Sequence, residues 1–244
     1  GDNENFGLLD ADEDWAVRID RDDSVELRAN NEVTFTAGVG GVEIPGNLNV
    51  GGNIKDISGL VNGNYISSHS WNISSGSVGI FGQNGATSEN SREWGIGPHG
   101  NRVILWKGGN DSASDDDGGW NTSYFDIDHT KTYRSSMWVK KTGSNDGTTY
   151  FGILGSEVTY LGGGSEGNPY FFCGDLPSLD KWYLVVGYIH GSGDSTTSKY
   201  GGIYDGETGK KVHTWASSGN CDTEFKFTTS AISQRQRAYL YYDS

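Results

Sequence analysis

The stretch KWYLVVGYIHG, residues 181–191, carries apolar side chains at consecutive positions, so an extended chain here is apolar on both faces. That is the mark of a central strand enclosed between packed layers. Upstream, TYRSSMWVKK at 132–141 behaves differently. Tyr133, Ser135, Met137 and Val139 share one face, and Arg134, Ser136, Trp138 and Lys140 share the other. One face belongs to a core, while the other presents a tryptophan among polar groups.

Working outward, further strands are expected at RVILWK (102–107), YFGIL (150–154), EFKF (224–227) and RAYLYY (237–242). The turn clusters GGNDSASDDDGG, TGSNDGTT, LGGGSEGNP, GSGDSTTS and YDGETGKK separate them. This spacing predicts an antiparallel β-sandwich or jelly roll over residues 65–244. The composition agrees, with 38 Gly against 4 Pro, 12% aromatics and no run of helical period among the 244 residues. The fold class is all-β.

Charge narrows the partners. The chain holds 18 Lys and Arg against 32 Asp and Glu, a net charge of −14, which repels a phosphate backbone or an anionic membrane. No nucleic acid partner and no membrane insertion are expected, since no apolar segment approaches the length of a span. The N-terminus has no basic region or hydrophobic signal core, and the single Met is Met137, which reads as a processed protein or an expressed fragment.

Residues 1–57 form a separate module, followed by a Gly- and Asn-bearing joint at 58–64. Apolar pairs at spacing two recur at Val17/Ile19, Val25/Leu27, Val33/Phe35, Val42/Ile44 and Leu48/Val50, with Asp, Asn or Gly between them. Two apolar side chains per strand bury about 3 to 5 kcal/mol, which barely offsets an ordering cost of about 1 to 2 kcal/mol per residue. Either several copies pool their apolar edges around an axis as a stalk, or these strands fold onto the downstream domain.

Sugar recognition asks for flat aromatic faces beside planar polar groups. Trp94 and Trp120 lie in or beside Gly-rich turns, with Arg92, His99, Asn101, Asn121 and Tyr124 close in sequence, and Trp138 with Arg134 offers an alternative on a strand face. The competing reading for each Trp is core packing. Tyr239 and Tyr241 form a second aromatic face, a core layer or a contact between copies. Asp111, Asp115, Asp116 and Asp117 supply hard oxygen ligands for Ca²⁺ in an expected turn, although the spacing fails the EF-hand pattern and a solvated acidic turn is the alternative. No cofactor is required beyond that optional structural Ca²⁺.

Catalytic motifs are missing from the sequence. There is no HExxH or GxSxG, and the five histidines (His69, His99, His129, His190, His213) show no i, i+4 pairing. No enzymatic activity is expected, although sequence alone does not exclude a spaced carboxylate pair of the glycosidase type.

FGLLDADEDWAVRID, the NN turn at Asn30-Asn31 and GVEIPGNLNVGGNI together resemble the repeated shaft segments of bacteriophage tail fibres and related fibrous adhesins. That resemblance implies a homotrimeric β shaft just before a receptor-binding tip. REWGIGPHG, RVILWKGGND, DGGWNTSYFDIDHTKTYRSSMWVKK and PSLDKWYLVVGYIHG resemble C-terminal domains of tail fibres and marine surface proteins. These look like jelly-roll carbohydrate-binding modules, which often carry a structural Ca²⁺. Ser135 stands where the related "Y.FS.W.K" strand prefers Phe, and the chain stops at YLYYDS, short of where such domains finish.

The resemblance implies a fibre protein, in a virion tail or on a cell surface, whose sandwich binds a bacterial surface glycan. Its rivals are a sugar-binding module of a marine polysaccharide-degrading enzyme and a structural connector of a tail assembly. Cys173 and Cys221 could pair, but free buried thiols are then the favoured expectation, because a phage fibre assembles in a reducing cytosol.

Overall fold

The computed structural model describes residues 5–9, 15–20, 24–29, 32–38, 41–43, 66, 68–109, 115–143, 146–154, 157–216 and 221–242. The chain divides into two units, Gly1–Gly63 and Asn64–Ser244. The apolar pair Leu48/Val50 lies outside the described residues.

The first unit is a meander of five antiparallel strands in chain order: β1 (Asn5–Leu9), β2 (Trp15–Asp20), β3 (Ser24–Ala29), β4 (Glu32–Gly38) and β5 (Gly41–Glu43). Its register explains the spacing-two pattern. Leu8 pairs with Val17, Val17 with Leu27 and Leu27 with Phe35, while Ile19 pairs with Val25 and Val25 with Ala37. Directly paired residues share a face, so these rows form one apolar side. Arg18, Glu26, Arg28 and Thr36 lie on the other side, where Glu26 Oε2 stands 2.8 Å from Arg28 Nη1 and 3.8 Å from Arg18 Nη1. No described side chain of this unit is buried, and Leu8 keeps 65% of its surface exposed.

The second unit holds the core. Its strands are β6 (Ser74–Ser75), β7 (Phe81–Asn84), β8 (Asn90–Ile96), β9 (Arg102–Gly108), β10 (Asp115–Thr122), β11 (Phe125–Asp126), β12 (Tyr133–Val139) and β13 (Thr148–Leu154). They continue as β14 (Val158–Tyr160), β15 (Ser165–Glu166), β16 (Tyr170–Gly174), β17 (Tyr183–His190), β18 (Gly202–Asp205), β19 (Lys211–Thr214), β20 (Phe225–Phe227) and β21 (Ser233–Tyr242). One sheet runs β16-β13-β21-β10-β7, with β11 also on β21. The second runs β15-β14-β20-β17-β18-β19, with β12 on the other edge of β17. A small sheet, β6-β8-β9, stands beside them.

β17 is the central strand expected from its two apolar faces: Val185 and Ile189 are fully buried on one side, Val186 and His190 almost fully on the other. All strand pairs are antiparallel except β17 with β20, where Ile189 pairs with Phe225 and His190 with Lys226. The β18–β19 hairpin returns the chain along β17, so β20 enters in the same direction as β17. Phe171 bridges the layers, 5.8 Å from Phe151 and 5.9 Å from Phe225 between ring centroids. A Cβ at Gly187 would stand 2.1 Å from the Phe171 ring, so only glycine admits that ring.

Two sequence expectations change. Cys173, on β16 in the first sheet, is disulfide-bonded to Cys221 in the segment leading to β20 in the second, with a Cα–Cα distance of 5.5 Å. The free thiols inferred from a reducing assembly compartment give way to a covalent tie between the two layers. The acidic run is also not all turn, because Asp115, Asp116 and Asp117 belong to β10, where Asp115 pairs with Tyr242 and Asp116 with Tyr241.

Candidate functional site

The β8–β9 hairpin positions the site. Paired residues Arg92↔Trp106, Trp94↔Ile104 and Ile96↔Arg102 lie on one face, from base to tip. At the base Asn90, fully buried, acts as a four-way tie. Its amide donates to the carbonyls of Asn84 (2.6 Å) and Ala86 (2.8 Å), and its carbonyl accepts from Trp106 Nε1 (3.0 Å) and the Gly119 N–H (2.8 Å). Arg92, 3% exposed, donates to the Asn72 carbonyl at 2.9 Å and to the Gly76 carbonyl, and lies 5.1 Å over the Trp106 ring. Burial lowers its pKa from the ordinary arginine value. These contacts fix the hairpin base and leave its tip to project.

At the tip the Gly97 N–H donates to the Asn101 carbonyl (2.8 Å), and Gly100 closes the turn with φ of +77°, in the left-handed region that favours glycine. Trp94 is 51% exposed and Ile96 58%, and the Arg102 guanidinium lies 4.5 Å over the Trp94 ring.

The tip reaches the end of the β12–β17 pair. Trp182 Nε1 donates to the Ile96 carbonyl (3.1 Å), His99 meets Trp138 edge to face at 5.4 Å, and Lys140 Nζ lies 5.3 Å over the Trp182 ring. Below them the Gly206 N–H donates to the Trp182 carbonyl (2.9 Å), and a Cβ at Gly206 would stand 2.6 Å from that carbonyl oxygen. Lys181 is bridged to Glu207 (2.9 Å) and Asp205 (3.5 Å). Those carboxylates, Glu207 first, raise its pKa above the ordinary lysine value. The patch thus joins three half- or well-exposed indoles to Ile96, His99, Arg102 and Lys140.

The residues singled out in sequence divide sharply. His99 and Trp138, taken there as members of two separate clusters, come together, while Trp94 lies on the same hairpin with Arg102 over its ring. Trp120 does not join them: it is 7% exposed and packs edge-on against Phe81 at 5.3 Å, so it is a core residue rather than a stacking platform. Arg92 is likewise a buried structural cation with its N–H groups directed to backbone carbonyls. Asn121, half-buried, donates to Asn84 Oδ1 at 3.4 Å, and the exposed Tyr124 is held under Arg235 at 5.1 Å. Arg134 is exposed on β12 opposite Tyr188, and Asn101 serves the tip through its carbonyl.

Tyr239 and Tyr241 form a layer with Tyr150, at 5.1 Å and 6.1 Å, and Tyr170 packs 4.8 Å from Tyr150. Asp111 lies outside the described residues, and only the backbone is described at Asp115, Asp116 and Asp117. Among the described residues no group of three His, Cys, Asp or Glu side chains is placed to hold a metal.

Sequence reasoning missed Ile96, Arg102, Lys140 and Trp182. A signal existed for two of them. Continuing the Val139↔Tyr183 register by one residue sets Lys140 opposite Trp182.

A second polar cluster lies on β17. His190, 1% exposed, shares its Nε2 with Glu224 Oε2 (2.8 Å) and its Nδ1 with Asp194 Oδ2 (3.3 Å). Glu224, fully buried, accepts from the Tyr200 N–H (3.0 Å) and the Gly201 N–H through its other oxygen. Desolvation opposes the imidazolium, yet the hydrogen bonds and charges of Glu224 and Asp194 outweigh it and raise the His190 pKa. Both ring nitrogens are committed to carboxylates, which fits a structural clamp on the 191–201 segment.

Comparison with protein-family models, with curated proteins and with solved structures returned no match.

Proposed function

We propose that this protein is a fibre protein, of a virion tail or a comparable extracellular adhesin, whose β-sandwich binds a bacterial surface glycan without covalent chemistry and which assembles as a homotrimer. The observation that carries the binding reading is the exposed indole of Trp94, projected on a hairpin whose base is locked by Asn90 and Arg92. A rigid, exposed aromatic face beside hydrogen-bonding cations is what a pyranose ring requires. Support for assembly comes from the first unit, whose apolar rows through Leu8, Val17, Leu27 and Phe35 have no second layer among that unit's described residues. Three weak sites on one fibre gain a factor of about 10² to 10⁴ in apparent affinity when their spacing matches the surface.

Adsorption of labelled protein to candidate host cells tests the reading. Binding is expected to vanish after periodate treatment of the cells and to fall about tenfold or more in Trp94→Ala, with the melting temperature unchanged because Trp94 is exposed. Adsorption that survives periodate, or that Trp94→Ala leaves intact, overturns it, and absence of adsorption to any host favours a connector role.

A further inference from the structure

We propose that the hairpin-tip patch selects an acidic glycan, one whose sugar carries a carboxylate or sulfate placed to meet Arg102 or Lys140. This rests on the glycan reading above and names its ligand class.

In a chain with a net charge of −14, several cations in the second unit are claimed by acids or carbonyls. Lys107 pairs with Glu93 (3.5 Å), Lys141 with Asp175 (3.2 Å) and Lys181 with Glu207 (2.9 Å), while Lys211 donates to the Tyr200 carbonyl (2.9 Å) and the Gly201 carbonyl (3.0 Å). Arg102 and Lys140 belong to the cations without such a partner, and they stand on the indoles of the patch. Among the described residues neither has a carboxylate within 4.0 Å, and each lies over an indole of the patch, Trp94 and Trp182 respectively.

Their arrangement suits an oxyanion. A guanidinium stacked on a ring spends its π face and leaves its N–H edges directed sideways, the geometry that grips carboxylate or sulfate with two parallel bonds. Trp182 is itself held by its N–H on the Ile96 carbonyl, so the ring under Lys140 is fixed before any ligand arrives. Indoles supply contact with any pyranose, whereas a cation over each ring rewards a charge carried beside the sugar stacked there. The surrounding acidity repels polyanions elsewhere on the surface, and screening over about 8 Å at physiological ionic strength confines that repulsion to its own neighbourhood.

Titration calorimetry with four probes tests the proposal: an oligogalacturonate, its carboxyl-reduced neutral counterpart, a sulfated galactan oligomer and its desulfated counterpart. One acidic probe is expected to bind about tenfold or more tighter than its neutral counterpart, in line with one charge-assisted bidentate contact. Arg102→Gln or Lys140→Gln, with unchanged melting temperature, should narrow that gap by lowering the acidic probe's affinity much more than the neutral probe's, and Trp94→Ala should weaken both. Equal affinity for charged and neutral probes, with loss in Trp94→Ala alone, overturns the acidic ligand and leaves the glycan reading standing. Failure of all four probes, together with failure of adsorption to hosts, overturns both. Whichever pair shows the gap identifies the oxyanion.

Discussion

His190 illustrates how one buried residue makes a segment conditional on pH. Facing it are Glu224, Asp194 and the rings of Tyr188 and Tyr200, with Lys226 in register on β20. Burial favours the neutral ring, but the two carboxylates win and the folded-state pKa lies above the ordinary histidine value. A raised pKa stabilises the fold fully below the unfolded value of about 6.5 and is lost as pH climbs through the folded value. Asp194 works at the other end: the Thr196 N–H first, and His190 after it, lower its pKa, so its contribution is lost only in acid, below about 4. The melting temperature should therefore fall on going from pH 6 to pH 9. His190→Gln should flatten that slope and cost about 3 kcal/mol at pH 6, by leaving Glu224 buried beside an uncharged partner. A pH-independent wild-type melting curve would refute this. None of it was legible in sequence, since His190 and Glu224 are 34 residues apart. Trp120 was misread for a nearer reason. The register of β10 against β21 shifts between Asp116 and Gly119, and alternation cannot be counted through such a bulge to say which way Trp120 points. Arg92 and Trp94 share a face, yet one is covered and the other is not. Alternation gives the face and says nothing of how far along it the cover extends.

At the scale of elements, the strands were legible because alternation reports one-sided and two-sided burial directly. The strand expected at 132–141 is β12 (Tyr133–Val139), with Met137 and Val139 packed on the core and Arg134 and Ser136 exposed. What alternation could not report was the pairing between distant elements, above all the contact of the β8–β9 tip with the ends of β12 and β17. That contact rests on a tryptophan N–H to a backbone carbonyl and an edge-to-face ring pair, neither of which has a sequence period. The disulfide belongs to the same class. Two cysteines permit a bond without requiring one, and it is the placement of β16 beside the approach to β20 that brings their Cα atoms within 5.5 Å. With a sequence separation of 48, the closed loop accounts for about 4 kcal/mol on the chain-entropy model. Denaturant titration with and without reductant should show a stability loss of that order, with the slope of the transition little changed. Identical curves, with free thiols counted as two per native chain, would remove the cross-link from the account.

For the whole molecule, the two units solve the burial problem in different ways. The sandwich encloses its aromatic core between two sheets of its own, whereas the described residues of the first unit form one sheet with one apolar face, and a lone layer of this kind does not hold itself together in water. In the proposed closed cyclic assembly, other copies would supply the missing layer and protect the sheet edges as well. Leu27 separates this from a monomer whose sheet tolerates exposure. It lies mid-row between Val17 and Phe35 and is 43% exposed in the single chain. On a monomer surface Leu27→Asp would shift stability by about 0.5 kcal/mol or less. In an assembly it forces several carboxylates into the shared apolar layer, a cost no hydrogen bond there offsets. Light scattering of the wild type is expected to give three times the 26.4 kDa chain mass, and Leu27→Asp to give the chain mass alone. The variant's sandwich should keep the wild-type intrinsic affinity for a soluble oligosaccharide, while its adsorption to cells falls about 10²-fold or more through loss of multivalency. A wild type that runs at 26.4 kDa, or a variant that stays assembled, would mean that this face is covered from within the chain.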